Sequence, residues 1–508
     1  MSSNILSAAV IGLDAEIVEV EADKGGGELG SFTVVGLPDA SVSESRERVR
    51  SAIKNSGFHF QKAKTTVNLA PADLKKHGPS YDLPIAISVL ISHDSIEAPA
   101  DIDKMLFIGE LALSGDLRPV NGVLSIALKA QKIGIKTIFL PAQNAREAKL
   151  VKDIEVIPVK NLKELIRHLS GKAKIASAPE TTINFSNNKI MHDMSHIRGQ
   201  EHVKRAMEIA AAGAHNMAMS GPPGSGKTLI ARTMPSILPD LTMSEALEVT
   251  KIYSVAGLLS ASDSLVVSRP FRSPHHTASS VALVGGGAWP RPGEISLSHR
   301  GVLFLDEFPE FTRQSLENLR QPLEDGIIHI SRAAGNLQFP AKFILISAMN
   351  PCPCGFSSDP EKNCSCSPMQ ISNYKKKISG PIIDRIDLHI EVPRVAFEKL
   401  AGEANGETSA DIKKRIEKAR VIQKKRFEGT HYITNSEMNS EAVKKFCPLD
   451  DTSANLMKNA VDRMHLSARA YFRILKLART IADLAEMEMI SSSHIAEALQ
   501  YRPKIDEN

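Results

Sequence analysis

The segment Gly221-Pro-Pro-Gly-Ser-Gly-Lys-Thr228 restricts the possible folds of this 508-residue chain more than any other segment. It matches the pattern G-x-x-x-x-G-K-[ST] at every position, between a strand predicted at 216–220 and a helix predicted at 229–234. In such a unit the glycines let backbone N–H groups surround phosphate oxygens, and the helix N-terminus adds partial positive charge. The pattern predicts an α/β core that binds a nucleotide; a chance glycine-rich turn is the alternative. The candidate binding residues are Gly221, Pro222, Pro223, Gly224, Ser225, Gly226, Lys227 and Thr228.

Two residues of this loop are candidates for binding phosphate and Mg²⁺, and a second segment supplies candidate carboxylates for Mg²⁺ and for the attacking water. Lys227 is expected to reach the β- and γ-phosphates, and the Thr228 hydroxyl to bind Mg²⁺. The second segment, Gly301-Val-Leu-Phe-Leu-Asp-Glu307, is an apolar predicted strand that ends in two carboxylates. We assign Asp306 to Mg²⁺ and Glu307 to the attacking water, with a solvated acidic strand end as the alternative.

A third apolar strand, predicted at 343–349, ends in Asn350. A neutral amide at this place can sense the γ-phosphate and orient the attacking water, although an isolated Asn more often caps a turn. Because three predicted strands end in these groups, the sequence predicts ATP hydrolysis with Mg²⁺ as the cofactor.

Composition excludes several classes of protein. The formal net charge is only +4, so any nucleic-acid surface is local, and aromatic residues make up 5% with a single Trp. The longest apolar run, at 83–91, is far shorter than the roughly 20 residues of a membrane span. The N-terminus has no Lys or Arg before its apolar segment, unlike a signal peptide, and five cysteines do not make a disulfide framework. We expect a cytoplasmic protein.

The length predicts about three domains, and the residue pattern divides the chain into four parts. Residues 1–170 indicate an α/β domain, residues 171–189 a polar linker, residues 190–395 the nucleotide-binding core and residues 396–508 a helical, charge-rich domain. In the first part we predict strands at 31–35, 65–69 and 137–140, helices at 43–56 and 161–169, and a buried segment at 83–91.

Four of the five cysteines lie close together in the sequence. Cys352 and Cys354 form one C-x-C pair, Cys364 and Cys366 form another, and the loop begins directly after Asn350. Four thiolates in two pairs suit a tetrahedral structural Zn²⁺, although the pairs are tighter than the usual C-x₂-C. Reduced buried thiols are the alternative.

The order of these motifs resembles that of AAA+ ATPases. After the three strand ends comes Gly380-Pro-Ile-Ile-Asp-Arg-Ile-Asp387, as in the branch of magnesium-chelatase ATPase subunits and MCM-type helicases. The segments Arg269-Pro-Phe-Arg-Ser-Pro-His-His-Thr277 and Asn350-Pro-Cys-Pro-Cys-Gly355 resemble the magnesium-chelatase-like ComM/YifB family of bacteria. The resemblance covers nearly the whole chain. It implies an AAA+ P-loop core with a helix-2 insert, a hairpin before the sensor-1 strand and a C-terminal helical lid.

The resemblance also implies roles for residues outside the three strand ends. Arg385 corresponds to an arginine finger that reaches the γ-phosphate of a neighbouring subunit, and Arg469 to a lid sensor of the γ-phosphate. Ile197 and Gly199 correspond to the element that packs on adenine. The expected active form is a homo-hexameric ring. An ordinary salt bridge is the alternative role for either arginine.

Two predicted hairpins are candidates for nucleic-acid contacts. Residues 284–293 resemble the insert in helix 2 of this branch, and a second hairpin lies around residues 331–335. In related rings such hairpins project into the pore, so Arg291 and Arg332 are expected to contact DNA phosphates and Trp289 to stack on a base. A buried Trp289 is the alternative.

Residues 1–170 resemble the proteolytic domain of Lon, which has a ribosomal-S5-like fold. Ser80, in Gly78-Pro-Ser-Tyr81, stands at the position of the Lon nucleophile, which needs a neighbouring lysine as its base. The matching position here is Leu124, which cannot accept a proton, and Lys129 would point elsewhere on a helix. We therefore predict a catalytically inactive domain that serves assembly or guides DNA.

Taken together, the resemblance implies an ATP-driven ring that translocates on DNA and promotes branch migration during homologous recombination in natural transformation. Its expected partners are single-stranded and branched DNA, further copies of the chain and other recombination proteins. The alternative from another class is a chelatase-type ATPase that remodels a protein partner for metal insertion. An ATP-gated protease is a second alternative, which Leu124 disfavours.

Overall fold

The computed structural model describes residues 3–25, 31–61, 63–181, 192–260, 263–287, 289–332, 335–359, 361–395 and 406–503. The described chain forms an N-terminal α/β domain, a central α/β core and a C-terminal helical lid, as the sequence predicts. None of the helices within these ranges has the length and apolar character of a membrane span. Part of the predicted linker and the first ten residues of the predicted lid lie outside the described ranges.

The N-terminal domain is built on a seven-stranded sheet of order β3-β4-β2-β1-β5-β8-β9. Buried Val18 and Val20 alternate with the outward Glu19 and Glu21, which is the period of a strand with one face in a core. The strands of this sheet are β1 (Ser3–Ile11), β2 (Asp14–Gly25), β3 (Phe32–Val35), β4 (Lys64–Ala70), β5 (Met105–Phe107), β8 (Thr137–Pro141) and β9 (Glu155–Val159). A separate two-stranded sheet pairs β6 (Glu110–Leu111) with β7 (Leu117–Arg118).

Helices cover both faces of this sheet, and two hydrophobic clusters fill the layers between them. The helices are α1 (Ala40–Asn55), α2 (Asp82–Ser92), α3 (Val123–Ile133), α4 (Ala145–Ala148) and α5 (Leu162–Leu169). The predicted segments are confirmed to within a few residues at each end. The sequence analysis did not predict β1 and β2, because β1 is rich in Ser and Ala and is stabilised by its nine pairings with β2.

The core is a parallel sheet of order β11-β14-β17-β10-β18. We call the side where these strands end the carboxyl edge, and the side where they begin the amino edge. The strands β14 and β17 are buried almost throughout, as expected for parallel strands covered on both faces. The strands are β10 (Met217–Ser220), β11 (Phe271–Arg272), β14 (Val302–Leu305), β17 (Ile344–Met349) and β18 (Leu388–Glu391).

Nine helices are described around this sheet, with two hairpins between them. The helices are α6 (Glu201–Gly213), α7 (Lys227–Ile237), α8 (Met243–Ala256), α9 (Ser280–Val284), α10 (Glu294–Leu297), α11 (Arg313–Glu317), α12 (Arg320–Asp325), α13 (Pro368–Lys375) and α14 (Gly380–Ile383). The insert hairpin pairs β12 (Gly285–Gly286) with β13 (Arg291–Pro292), and the pre-sensor hairpin pairs β15 (Ile327–Arg332) with β16 (Gly335–Pro340).

The lid packs on the core through polar groups as well as apolar ones. His215, just before β10, contacts Thr480 of the lid at 2.8 Å and Asp387 of the core at 3.2 Å. Within the lid, Arg426 donates to the buried carboxylate of Asp483 at 2.7 Å. The lid helices are α15 (Ser409–Arg426), α16 (Ser440–Phe446), α17 (Asp451–Met464), α18 (Ala468–Leu484) and α19 (Ser492–Gln500).

The N-terminal domain docks on the core through α3 and α8. Leu241 and Ala246 of the core belong to the same hydrophobic cluster as Val123 and Ala127 of α3. At the edge of this cluster, the buried Glu147 carboxylate accepts hydrogen bonds from the Leu124 N–H and from the Ser254 hydroxyl. The two domains therefore share one continuous core.

We expect Ala246→Glu to detach the N-terminal domain from the core. Ala246 is fully buried at this junction, and an unpaired charge there costs several kcal/mol of docking free energy. In calorimetry the N-terminal domain should then unfold at a lower temperature than the core. Ser244→Glu, at an exposed position of the same helix, is the control and should leave the unfolding curve unchanged. An Ala246→Glu curve identical to that of the control would contradict the shared core.

Candidate nucleotide site

The glycine-rich loop lies at the carboxyl edge, between β10 and α7, in the predicted strand–loop–helix unit. Gly224 and Gly226 have φ values of +78° and +88°, which side chains with a Cβ rarely adopt. At Gly221 the restriction is steric, because a Cβ there would lie 2.1 Å from the carbonyl oxygen of Val392. The local backbone explains why the loop needs glycine at these positions.

Lys227 begins α7 and folds back over the loop. Its Nζ donates to the carbonyl oxygens of Gly221 at 2.7 Å and Pro222 at 2.9 Å, and to Oδ1 of Asn350 at 3.3 Å. Burial lowers the pKa of Lys227, and the nearby Asp306 partly opposes this shift. The structure thus brings the predicted phosphate-binding ammonium and the predicted sensor amide together.

The two predicted magnesium ligands also meet at this edge. The Thr228 hydroxyl donates to Oδ2 of Asp306 at 2.8 Å. Two oxygen ligands of an octahedral Mg²⁺, each at about 2.1 Å from the ion, lie about 3 Å apart. This pair therefore fits Mg²⁺, which would neutralise phosphate charge when bound.

Glu307 follows Asp306 and points into solvent. Its side chain is 57% exposed, its φ is +51°, and Oε2 lies 3.0 Å from Nδ1 of His276. The sequence analysis missed His276, although it quoted the segment that contains this residue. A histidine beside the carboxylate can fix the orientation of Glu307 toward water.

A cavity of about 550 Å³ lies beside the loop, and Gly199 and Gln200 line it. Gln200 connects the cavity to the loop, because its amide donates to the carbonyl oxygen of Ser225 at 3.1 Å. Gly199 therefore lines a cavity beside the nucleotide loop, and its contact with adenine stays a prediction. The prediction for Ile197 is corrected: its side chain is 4% exposed and packs in the hydrophobic core, which leaves little of it for adenine.

The four clustered cysteines converge in the loop after Asn350. Their Sγ atoms all lie within 4.8 Å of one another, and Cys354 is 3.4 Å from Cys352 and 3.6 Å from Cys364. Ligands of a tetrahedral Zn²⁺ with Zn–S bonds of about 2.3 Å lie about 3.8 Å apart, so the cluster fits this ion. N–H groups of Phe356 and Ser365 lower the pKa of Cys354 to about 5, which favours the thiolate that binds metal.

The cysteine loop also touches the nucleotide loop. A Cβ on Gly355 would lie 2.6 Å from Cδ of Pro223. Because Asn350 and Gly355 both contact the nucleotide loop, a metal held by the cysteines would stiffen the segment that carries the sensor amide.

Arg385 and Arg469 lie at the amino edge, away from Lys227. Arg385 precedes β18, its side chain is 6% exposed and it pairs with Glu324. Arg469, which is 59% exposed, donates to Oε1 of the same carboxylate at 3.3 Å. Both arginines thus form the salt bridge that the sequence analysis gave as their alternative role. They lie close to each other, and neither lies at the nucleotide loop of its own chain.

Trp289 is half-buried, and its contact with a base stays a prediction. One face of its ring stacks on His77 of the N-terminal domain, with centroids 5.0 Å apart and planes at 19°, so a base could use only the other face. Arg291 in β13 is exposed as predicted. The side chain of Arg332, at the tip of the pre-sensor hairpin, lies outside the described part of the structure.

In the region that resembles a Lon active site, the position that corresponds to the Lon lysine holds no amine, although Lys75 and His77 line the same cavity as Ser80. Leu124 is fully buried in α3, and Lys129 instead pairs with Glu16 at 2.8 Å. A cavity of about 330 Å³ beside Ser80 is bordered by Trp289 of the insert hairpin. That the domain is not a protease stays a prediction.

The strand order, the glycine-rich loop and the carboxylates at the carboxyl edge define an AAA+ domain of the magnesium-chelatase type. Family profiles for magnesium chelatase subunit ChlI match residues 193–400 and 18–144, and a profile for its C-terminal part matches residues 406–502. The chain belongs to the ComM/YifB family, as its relatives establish.

Two relatives match over almost their whole length. Competence protein ComM of Haemophilus influenzae is 44% identical over 507 residues, which cover 99% of this chain and 97% of that protein. YifB of Escherichia coli is 43% identical over 506 residues, with the same coverage of 99% and 97%. A Lon protease of Methanosarcina barkeri is 28% identical over 167 residues, 31% of this chain and 20% of the protease.

We expect Lys227→Ala to abolish ATP binding and Glu307→Gln to abolish hydrolysis while ATP still binds. Loss of a general base costs about 10²–10⁴ in rate, whereas loss of the loop lysine removes the phosphate contact itself. Binding of a fluorescent ATP analogue and phosphate release separate the two effects. Glu310→Gln, which removes an exposed carboxylate paired with Lys377, is the control and should hydrolyse ATP normally. Normal turnover by Glu307→Gln would overturn the assignment of Glu307.

We expect purified protein to contain about one Zn²⁺ per chain, held by the four clustered cysteines. Elemental analysis should show that Cys354→Ser loses the metal. Cys447→Ser is the control, because burial raises the pKa of Cys447 to about 12 and this thiol lies outside the cluster. A metal-free protein with full activity would contradict the zinc site and would show that the four cysteines are reduced thiols.

Proposed function

We propose that this chain is an ATP-driven DNA translocase that works as a homo-hexamer in the cytoplasm. It promotes branch migration during homologous recombination in natural transformation. One observation carries the proposal: each chain has a nucleotide site at one edge of its core sheet and two arginines at the opposite edge.

The distance between these edges supports assembly. A four-residue strand such as β18 spans more than about 10 Å, which is longer than an arginine side chain. Arg385 and Arg469 therefore serve the nucleotide of an adjacent copy, where they stabilise charge on the transferred phosphoryl group. Hydrolysis then needs two neighbouring subunits, as in a closed ring.

Within one subunit the catalytic steps are divided among six residues. Lys227 binds the β- and γ-phosphates, and Thr228 and Asp306 hold Mg²⁺. Glu307, oriented by His276, takes a proton from the attacking water while Asn350 orients that water.

Two features support DNA as the substrate. Both hairpins lie beside the N-terminal domain, since Trp289 stacks on His77 and Leu337 of β16 packs on Gly12. This arrangement leaves the exposed Arg291 for the phosphate backbone, and Arg332 stays a predicted contact. The relative from Haemophilus influenzae is named a competence protein, which supports natural transformation as the process.

A chelatase-type ATPase that remodels a protein partner is the second candidate. It is supported by the family profiles, which are named after magnesium chelatase. DNA dependence of ATP hydrolysis distinguishes the two candidates.

We expect single-stranded and forked DNA to stimulate ATP hydrolysis by about tenfold or more, and the rate per chain to rise with protein concentration. Steady-state phosphate release at several protein concentrations measures both effects. A rate that is independent of DNA and of concentration would overturn the proposal, and stimulation only by a protein partner would favour the chelatase-type candidate.

We also expect Arg385→Ala and Glu307→Gln subunits to be inactive alone and partly active when mixed. In the mixture, Glu307→Gln subunits supply the arginines and Arg385→Ala subunits supply a complete nucleotide site. If mixing restores nothing, Arg385 acts within its own chain.

A further inference from the structure

Glu324 contacts both arginines of the amino edge. It lies at the end of α12, and its two carboxylate oxygens accept hydrogen bonds from different guanidinium groups. Oε2 pairs with Arg385, and Oε1 accepts from Arg469 at 3.3 Å. The hydrogen bond from Arg385 is the largest of the effects that lower the pKa of Glu324, so this carboxylate stays ionised at neutral pH.

The backbone at Arg385 is held independently of this contact. The Arg385 carbonyl oxygen accepts from Asn216 at 3.2 Å and from Arg473 at 2.8 Å, and Arg473 also binds Asp387 at 2.6 Å. The Arg385 guanidinium has another acceptor in the Pro381 carbonyl oxygen at 2.7 Å, whereas its buried Nε has no partner in the described structure. The direction of this side chain therefore depends on Glu324 together with the Pro381 carbonyl oxygen.

Glu324 also stands at the base of the pre-sensor hairpin. Only Asp325 and Gly326 separate it from β15, and the Gly326 N–H donates to the carbonyl oxygen of Pro322 in α12 at 3.0 Å. A displacement of the hairpin thus moves α12 and the carboxylate that holds the arginines.

We propose that Glu324 is a positioning residue that holds Arg385 and Arg469 as one pair for the nucleotide of the neighbouring subunit. It also connects this pair to the pre-sensor hairpin, so that DNA on the hairpin adjusts the arginines. The exposed Arg469 makes the first contact with the neighbouring phosphate, and Arg385 follows through the shared carboxylate. This inference rests on the proposed action of the arginines in trans.

The test is Glu324→Gln in the full-length protein with forked DNA. Misplacing two phosphate ligands should lower kcat about a hundredfold while KM for ATP changes little, because the binding loop belongs to the other subunit. Glu324→Asp should recover part of the lost kcat, and Glu317→Gln, which removes a half-buried carboxylate paired with Arg320, should behave like the parent. Normal kcat and DNA stimulation in Glu324→Gln, or a rise in KM alone, would overturn the inference.

Mixing separates this inference from the proposed function. Glu324→Gln subunits retain a nucleotide site, so Glu307→Gln subunits should restore their hydrolysis, as they do for Arg385→Ala. Rescue of Arg385→Ala without rescue of Glu324→Gln would refute the role of Glu324 and leave the proposed function intact. Failure of both mixtures would refute action in trans altogether. Binding of an ATP analogue by Glu324→Gln alone shows that its core is folded.

Discussion

The common direction of the five core strands determines where each functional group of this chain can act. β10, β14 and β17 bring Lys227, Asp306 and Asn350 to the carboxyl edge, while the start of β18 leaves Arg385 at the amino edge. No side chain spans the roughly 10 Å between these edges. Parallel pairing thus separates the groups proposed to bind a triphosphate from the arginines proposed to stabilise its cleavage.

The N-terminal domain keeps a Lon-like relationship in sequence but serves as a packing partner. Helix α3 carries Leu124 where Lon has its lysine, and the same helix packs against α8 of the core. Trp289 closes one side of the cavity beside Ser80 through its contact with His77. Apolar burial at this junction joins the domain to the core, and both hairpins lie next to the N-terminal domain.

The sequence predicted those parts of the fold and site that consecutive residues determine. The glycine-rich loop and Asp306 were predictable because their geometry follows from local backbone and strand pattern. Contacts between distant segments were not predictable, because the stacking of Trp289 and the bridging by Glu324 depend on tertiary packing. Ile197 was misassigned for the same reason, because a motif does not reveal which side of a residue becomes buried.

The proposed action of the arginines on a neighbouring chain has a consequence for incomplete assemblies. In a row of chains joined edge to edge, one terminal chain offers a triphosphate pocket without arginines, and the other offers arginines without a pocket. An open arc of such chains therefore has one working junction fewer than it has members. Joining its ends creates the missing junction without adding a chain, so closure itself increases the capacity for hydrolysis.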